Sequence, residues 1–271
     1  MDVAVISKIT TQKKNLERYN IFLDDGHGEQ YAFSVDQGVL VTFQLRKGLE
    51  ITKELLTEIT HEEMIRKGYH HALNYLSYRM RSKKEVIDYL IKKEFDKEVI
   101  SIVVDRLIEE KYINDAEFSN AFVRSRINLT NKGPELVKKE LIEKGISNVE
   151  ITESLKMYTF EDQIEKASTL LLKKNLNTKR TSRTEYYNKM KLLLLSKGFT
   201  YEIAQHALQK LIEETVEDFD AEWDAVTYQG EKALRKYKNE DGWEKKKKIK
   251  QYLYRRGFTV DLIEKFIEEF V

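Results

Sequence analysis

Apolar residues alternate with polar ones over about the first fifty positions, and the chain then changes to a helical rhythm that holds to its end. Short runs of β-branched and aromatic residues, Tyr19 to Leu23, Tyr31 to Val35 and Val39 to Phe43, come after the apolar positions Val3, Val5, Ile6 and Ile9. Asp25-Gly26-His27-Gly28 between two of these runs is a hairpin signal, because glycine reaches positive φ at low cost. The pattern predicts a small antiparallel sheet of three or four strands, packed on the next region of the chain. From about residue 52 the spacing is helical. Leu73, Leu76 and Met80 fall on one face, as do Val86, Leu90 and Ile91, and then Val99, Ile102, Val103 and Leu107. Thr52 and Ser82 are expected N-caps, Ser82 in a capping box with Glu85, and Gly133-Pro134 opens a helix.

The helical part repeats itself. Leu90 to Phe95, Leu141 to Ile146, Leu194 to Phe199 and Leu253 to Phe258 share a basic amphipathic stretch that ends in a turn. The turn position falls at Glu94, Gly145, Gly198 and Gly257, where glycine suits a left-handed helix cap. Four positions beyond the turn's apolar residue, a further apolar side chain opens the next helix at Val99, Ile203 and Leu262, with Glu150 and then Ile151 in the second repeat. Upstream helices are expected around 73–81, 118–126, 164–174 and 223–237. The fold class is therefore mainly α: tandem three-helix repeats in an elongated, curved array behind a small N-terminal antiparallel β segment. The expected divisions are 1–51 for the β-rich segment and 52–113 for a linker helix with the first repeat. The further repeats are 114–160, 161–215 and 216–271.

Charge changes the picture through its distribution. Among 271 residues, 47 basic side chains face 46 acidic ones, so the sum identifies no partner. Yet Lys173 to Lys197 holds eight basic residues against Glu185 alone, and Lys245 to Arg256 holds seven with no acid. Glu213, Glu214, Glu217, Asp218, Asp220, Glu222 and Asp224 form an acidic block. A single charge run is ordinary solvated helix surface. Recurrence at one place in successive repeats suits a polyanion, with the acidic sides facing solvent or a basic protein.

Other chemistry is absent from the sequence. No cysteine occurs, which excludes disulfides and thiolate metal sites. No apolar run approaches membrane-spanning length, and no signal peptide is visible, so a cytoplasmic location is expected. There is no phosphate loop, dinucleotide fingerprint or zinc spacing, and the five histidines do not pair as ligands. The expectation is a non-enzyme without cofactor or metal. Tyr78, Tyr112, Phe118, Phe122, Phe199 and Phe258 read as core or cap residues. Tyr186 and Tyr187, beside Arg180 and Arg183, are candidates for stacking on single-stranded bases.

Several segments resemble the regulatory protein RecX family. They are Leu76-Ser77-Tyr78-Arg79-Met80-Arg81-Ser82-Lys83-Lys84-Glu85-Val86, Leu107 to Phe118, Phe122-Val123-Arg124-Ser125-Arg126, Lys132-Gly133-Pro134 and Glu140 to Ile146. The match covers about residues 70 to 155, more loosely the later repeats, and Gln12 to Asn20 resembles the N-terminal extension of the longer RecX proteins of low-GC Gram-positive bacteria. The resemblance implies tandem three-helix repeats that bind in the groove of the RecA–DNA filament. It also implies inhibition of the RecA ATPase, strand exchange and coprotease activity, with direct DNA binding as well; the expected partners are the RecA filament and single- and double-stranded DNA, and the expected state is a monomer. By matched motif, Arg79, Arg81, Arg124 and Arg126 become contact candidates, followed by Lys132 and Lys144. The basic stretches add Lys83, Lys84, Lys138, Lys179, Arg180, Arg183, Lys189, Lys245, Lys246, Lys247, Lys248 and Arg255. Two residues depart from the family pattern: Glu94 replaces a glycine, and Lys111 replaces one before Tyr112. Both substitutions imply ordinary helix ends. The alternatives are a general nucleic-acid-binding module, for which binding would be steeply salt-dependent and indifferent to recombinase, and a protein-only helical scaffold.

Overall fold

The computed structural model describes residues 3–13, 15–174, 180–214 and 219–271. The chain forms two compact units, Met1–Phe118 with Lys144–Ile146, and Ser119–Glu143 with Ser147–Val271. It is mainly α, with a four-stranded antiparallel sheet at the N-terminus. Among the described residues, no helix is long and apolar enough to cross a membrane.

The first unit opens with β1 (Val3–Thr11), β2 (Arg18–Asp24), β3 (Glu29–Asp36) and β4 (Glu50–Thr52), arranged β3-β2-β1-β4. The expected hairpin joins β2 to β3, where the Asp24 carboxylate accepts from the N–H groups of Gly26 and Gly28 at 2.8 and 3.1 Å. Ile6, Ile21 and Val35 are fully buried, together with Val39 and Ile59.

The run Val39 to Phe43 corrects the sequence reading, because it is helical and not a strand. It belongs to α1 (Gln37–Thr42), which starts where the Asp36 carboxylate accepts from Gly38 N–H. In a strand, Val39 and Val41 would share a face; here Val39 is buried and Val41 is 64% exposed. The cap and the burial of Val39 outweigh a weak β-branched preference. The fourth strand is instead Glu50–Thr52, paired to β1.

Thr52 caps α2 (Lys53–Ser77), as the sequence predicted, by accepting from Leu55 N–H at 3.2 Å. Glu63 on α2 is buried and accepts from the Arg18 guanidinium and from Asp36 N–H, both at 2.7 Å. That pairing fastens β2 and the end of β3 to the helix. The helix stops at Ser77, so Met80 does not continue the face of Leu73 and Leu76 and is exposed. Next come α3 (Lys83–Lys92), with the predicted Ser82–Glu85 capping box, and α4 (Lys97–Glu109). Ile65, Ala72, Val86, Leu90, Val99, Val103 and Leu107 form their shared core, while Ile91 and Ile102 lie outside it and are exposed.

The remaining helices are α5 (Asp115–Leu129), α6 (Pro134–Glu143), α7 (Asn148–Leu155), α8 (Phe160–Lys173), α9 (Arg183–Ser196), α10 (Tyr201–Glu214), α11 (Phe219–Lys236), α12 (Gly242–Arg255) and α13 (Val260–Phe270). Pro134 occupies the first position of α6, where its missing N–H has no intrahelical partner to lose. Within the second unit, α8, α9 and α10 enclose Leu171, Met190, Leu194, Phe199 and Ile203. Helices α11, α12 and α13 enclose Val226, Ile249, Leu253, Phe258 and Phe266. Each of these two three-helix sets thus buries its own apolar residues.

The turns between second and third helices share one geometry. Gly145, Gly198 and Gly257 have φ of 79°, 84° and 82°. Phe199 N–H donates to the Leu194 carbonyl at 3.1 Å and Gly198 N–H to Leu195 at 2.9 Å, the paired bonds that close a left-handed helix cap. Glu94 and Lys111 were expected to mark ordinary helix ends, and the structure overturns this. Their φ values are 64° and 63°, and Phe95 N–H to Leu90 and Tyr112 N–H to Leu107 repeat the cap bond at 3.2 and 2.8 Å. Val99, Ile203 and Leu262 lie in the first turns of the next helices as expected, and the residue one further on is buried in every repeat: Ile100, Ile151, Ala204 and Ile263.

A second contact recurs at these turns. The Ser82 hydroxyl at the start of α3 donates to the Lys144 carbonyl at 2.8 Å, and a Cβ on Gly145 would lie 2.7 Å from Lys84 Cβ. In the second unit, Gly133 N–H before α6 donates to the Lys197 carbonyl at 2.7 Å, and a Cβ on Gly198 would lie 2.7 Å from the Leu136 nitrogen. The Ser182 hydroxyl before α9 donates to the Arg256 carbonyl, and a Cβ on Gly257 would lie 2.8 Å from Thr184 Cβ. Each glycine therefore answers two demands, positive φ and close approach.

Candidate functional site

The candidate residues lie at and around α3, α6, α9 and α12, with Arg124 and Arg126 on α5, and they divide into cations held by partners and cations left in solvent. Around α3, Arg79 donates to Glu85 at 2.9 Å and to the Met80 carbonyl at 2.8 Å. The Arg81 guanidinium lies 4.2 Å over the Tyr75 ring, which stacks on Tyr89 at 4.1 Å; Lys93 lies 5.7 Å over Tyr89. Lys83 is exposed in the first turn, where its backbone N–H donates to Asp115 at 2.7 Å. The Lys84 stem lies against Gly145.

Lys144 donates to Glu85 at 3.0 Å and approaches the Phe118 ring. Burial alone would raise the Glu85 carboxyl. The hydrogen bonds from Arg79, Lys144 and the Ser82 N–H outweigh it and hold the group at about 2. In the second unit, Arg126 bonds Glu140 at 2.6 Å, and Lys132 pairs with the same carboxylate. Burial raises Glu140, and these two cations outweigh it to give a net lowering. Arg126 also lies 4.2 Å over Phe122. Arg124 and Lys138 are exposed and make no ion pair among the described residues.

On α9, Arg183 pairs with Glu222 at 2.8 Å and Lys189 with Glu185 at 2.8 Å. Arg180 lies 5.0 Å over Tyr228. Tyr186 and Tyr187 are not free stacking platforms, because both are half-buried against the core of α8 to α10. Tyr78 and Tyr112, read as core or cap residues, are 85% and 54% exposed. Lys179, with Glu217 and Asp218, lies outside the described residues. The sorting of charge onto separate helices is also less complete than expected. Acids of the third and first helices reach basic helices, as in Arg183–Glu222 and Lys250–Glu264, the latter at 2.6 Å.

Helix α12 leaves the most positive charge without a partner. Lys248 bonds Glu240 at 2.5 Å, but Lys246 and Arg255 are exposed with no ion pair among the described residues. Trp243 is 71% exposed with Lys247 lying 4.6 Å over its ring, and Tyr254 is 67% exposed. Positions 243, 247, 250 and 254 share one helix face, so two open aromatic rings flank two lysines. The sequence reading singled out Lys245 to Lys248 and overlooked Trp243 and Tyr254. Their helical spacing from those lysines was the available signal.

Lys166 was also overlooked. It donates to the carbonyls of Ile127 and Thr130, the latter at 2.7 Å, and so holds the end of α5. Burial lowers its pKa. Nothing in its local sequence marks it, because its acceptors lie more than thirty residues away.

Four family models match the chain. "Regulatory protein RecX N-terminal domain" matches residues 4–52, and "RecX, first three-helix domain" matches 69–107. "RecX, second three-helix domain" matches 114–155, and "RecX, third three-helix domain" matches twice, over 161–208 and 220–267. The chain is 42% identical over 266 residues to "Regulatory protein RecX" of Bacillus cytotoxicus, covering 98% of each chain. It is 42% identical over 267 residues to the protein of that name from Oceanobacillus iheyensis, covering 97% of each. A crystal structure described as regulatory protein RecX aligns with a TM-score of 0.55 at 25% identity, over 98% of this chain and 99% of that one. With domain models matching most of its length and relatives matching nearly all of it, the chain belongs to the regulatory protein RecX family.

Proposed function

We propose that this protein is a cytoplasmic, monomeric, non-enzymatic regulator that binds the RecA–DNA filament, with contacts to both recombinase and DNA. In this reading it lowers RecA ATPase, strand exchange and coprotease activity by occupying the filament groove. The family membership supports the regulatory role. The observation that carries the DNA contact is α12, where exposed Lys247 shares a face with the open rings of Trp243 and Tyr254 and exposed Lys246 and Arg255 add charge beside it. Lysines there would neutralise phosphates, and the rings offer stacking surfaces for unpaired bases. Arg124, Lys138 and Lys83 extend the same role to earlier helices as further exposed cations. The units taken to act in series are 52–113, 114–160, 161–215 and 216–271, behind the β-rich segment 1–51. Binding through several weak sites in series makes affinity depend on an intact filament.

Cations already engaged contribute differently. Arg79, Lys144, Arg126, Lys132 and Lys189 hold acids within the protein and position the helix starts, so neutralising them costs stability before it costs binding. The test is RecA ATPase on single-stranded DNA with increasing protein, beside direct binding to RecA-coated and bare strands. The parent should slow hydrolysis and prefer the coated strand, and Lys246→Glu with Lys247→Glu should weaken both effects. Equal affinity for coated and bare strands would replace this reading with a general nucleic-acid-binding module. Undiminished inhibition by the charge-reversed variant would point to a protein-only scaffold.

A further inference from the structure

The contact between a helix start and a glycine turn occurs three times, each time from the same two halves. One half is a left-handed glycine whose missing Cβ lets the turn come close, at Gly145, Gly198 and Gly257. The other half is a donor at a helix start aimed at the carbonyl just before that glycine, supplied by Ser82, Gly133 N–H and Ser182. One turn and one helix start remain unmatched. Among the described residues, no helix start donates to the Lys93 carbonyl before the turn after α3, and that turn carries exposed Glu94 where the others carry glycine. Among the described residues, the start of α12 meets no such turn. Its N-cap is exposed Asp241, whose side chain makes no capping hydrogen bond.

We propose that Glu94 and Asp241 prevent head-to-tail self-association, in which the turn after α3 of one copy would receive the start of α12 of a second copy. The occupant is specific because this chain itself supplies both halves of the junction. Glu94 blocks the turn in two ways. Its Cβ stands where close approach elsewhere leaves no room, and its carboxylate adds a charge that docking would desolvate. Asp241 blocks the helix start because an ionised carboxylate only accepts hydrogen bonds, so it opposes the Lys93 carbonyl where serine would donate to it. The two acids would also face each other across the join. A heterologous join of this kind leaves a free half at each end and therefore grows without limit. Glu94 holds a left-handed backbone that glycine would adopt without strain, which fits a residue kept for its side chain. Lys111 is similarly left-handed, but its turn follows α4, the third helix of its set, so Glu94 alone is the counterpart of Gly145, Gly198 and Gly257.

The test is sedimentation of the full chain over a wide concentration range. Glu94→Gly relieves a left-handed residue, and Asp241→Ser keeps a good N-cap, so both variants retain the fold; circular dichroism checks this. The parent and each single variant should keep the mass of one chain. The double variant should grow in mass with concentration, beyond a dimer. An equimolar mixture of the two single variants should stop at a one-to-one pair, because each keeps one blocked end. A double variant that stays at single-chain mass overturns the proposal, as does a parent or single variant that grows as the double does.

Discussion

The Glu85 carboxylate accepts from Lys144 Nζ at 3.0 Å across 59 residues of sequence, at the point where the Ser82 hydroxyl also meets the Lys144 carbonyl. One acid thus caps α3, holds Arg79 and fastens a turn from the following repeat. Arg256 approaches Glu185 at 3.6 Å in the corresponding place on α9.

Acid should weaken this junction. The Glu85 carboxyl sits at about 2 in the folded protein against 4.5 ordinarily, so its contribution is complete above pH 4.5 and is lost as pH falls toward 2. Glu85→Gln should cost about 1–2 kcal/mol near neutral pH, an amount reduced for partial exposure. Urea unfolding of both proteins should show the gap closing through that window. A gap that stays constant down to pH 2 would contradict the assignment.

The left-handed turns give stability changes of opposite sign. Glu94→Gly and Lys111→Gly should each stabilise the protein by about 1 kcal/mol, since L-residues are strained at positive φ. Gly198→Ala should destabilise by about 2–4 kcal/mol, from the same strain plus a clash with the Leu136 backbone. Denaturant midpoints measured on all three variants decide the matter, and a stabilised Gly198→Ala would refute the close approach.

Glu63 anchors the sheet. Removing it with Glu63→Ala leaves Arg18 and Asp36 N–H without their acceptor, at a cost of about 2–4 kcal/mol. Hydrogen exchange should quicken first in β2 and β3. Loss of protection confined to the last repeat would be inconsistent with this role.

The α12 face should respond to salt and to truncation in different ways. Lys246→Gln should lower the salt slope of binding to single-stranded DNA by about one ion, in proportion to the phosphates neutralised. Trp243→Ala should weaken binding by about 1–3 kcal/mol with little change in that slope, as expected for lost stacking. Fluorescence titrations at several salt concentrations separate the two. An unchanged affinity for Trp243→Ala would remove the ring from the proposed interface.

Local chemistry was enough to write much of the fold in the sequence. The capping box at Ser82 and Glu85, Pro134 at a helix start, the hairpin at Gly26 and Gly28 and the repeated turn glycines all act through neighbours a few residues away. Such signals survive reading one residue at a time. The helical period likewise identified Val86, Leu90, Val99 and Leu107 as core.

Tertiary structure decided what depends on distant partners. Val39 became helical because its burial beside Ile21 and Ile59 outweighed its β preference. Glu94 and Lys111 took left-handed caps because the packing of Phe95 and the bonds to Leu90 and Leu107 fix the turn, whatever residue occupies it. The candidate cations were legible as charges, but sequence could not separate Arg126, held by Glu140, from Arg124, left in solvent. That division depends on which acid the folded chain brings within reach. Charge composition fixes how many cations there are, and only packing fixes which remain free to meet a phosphate.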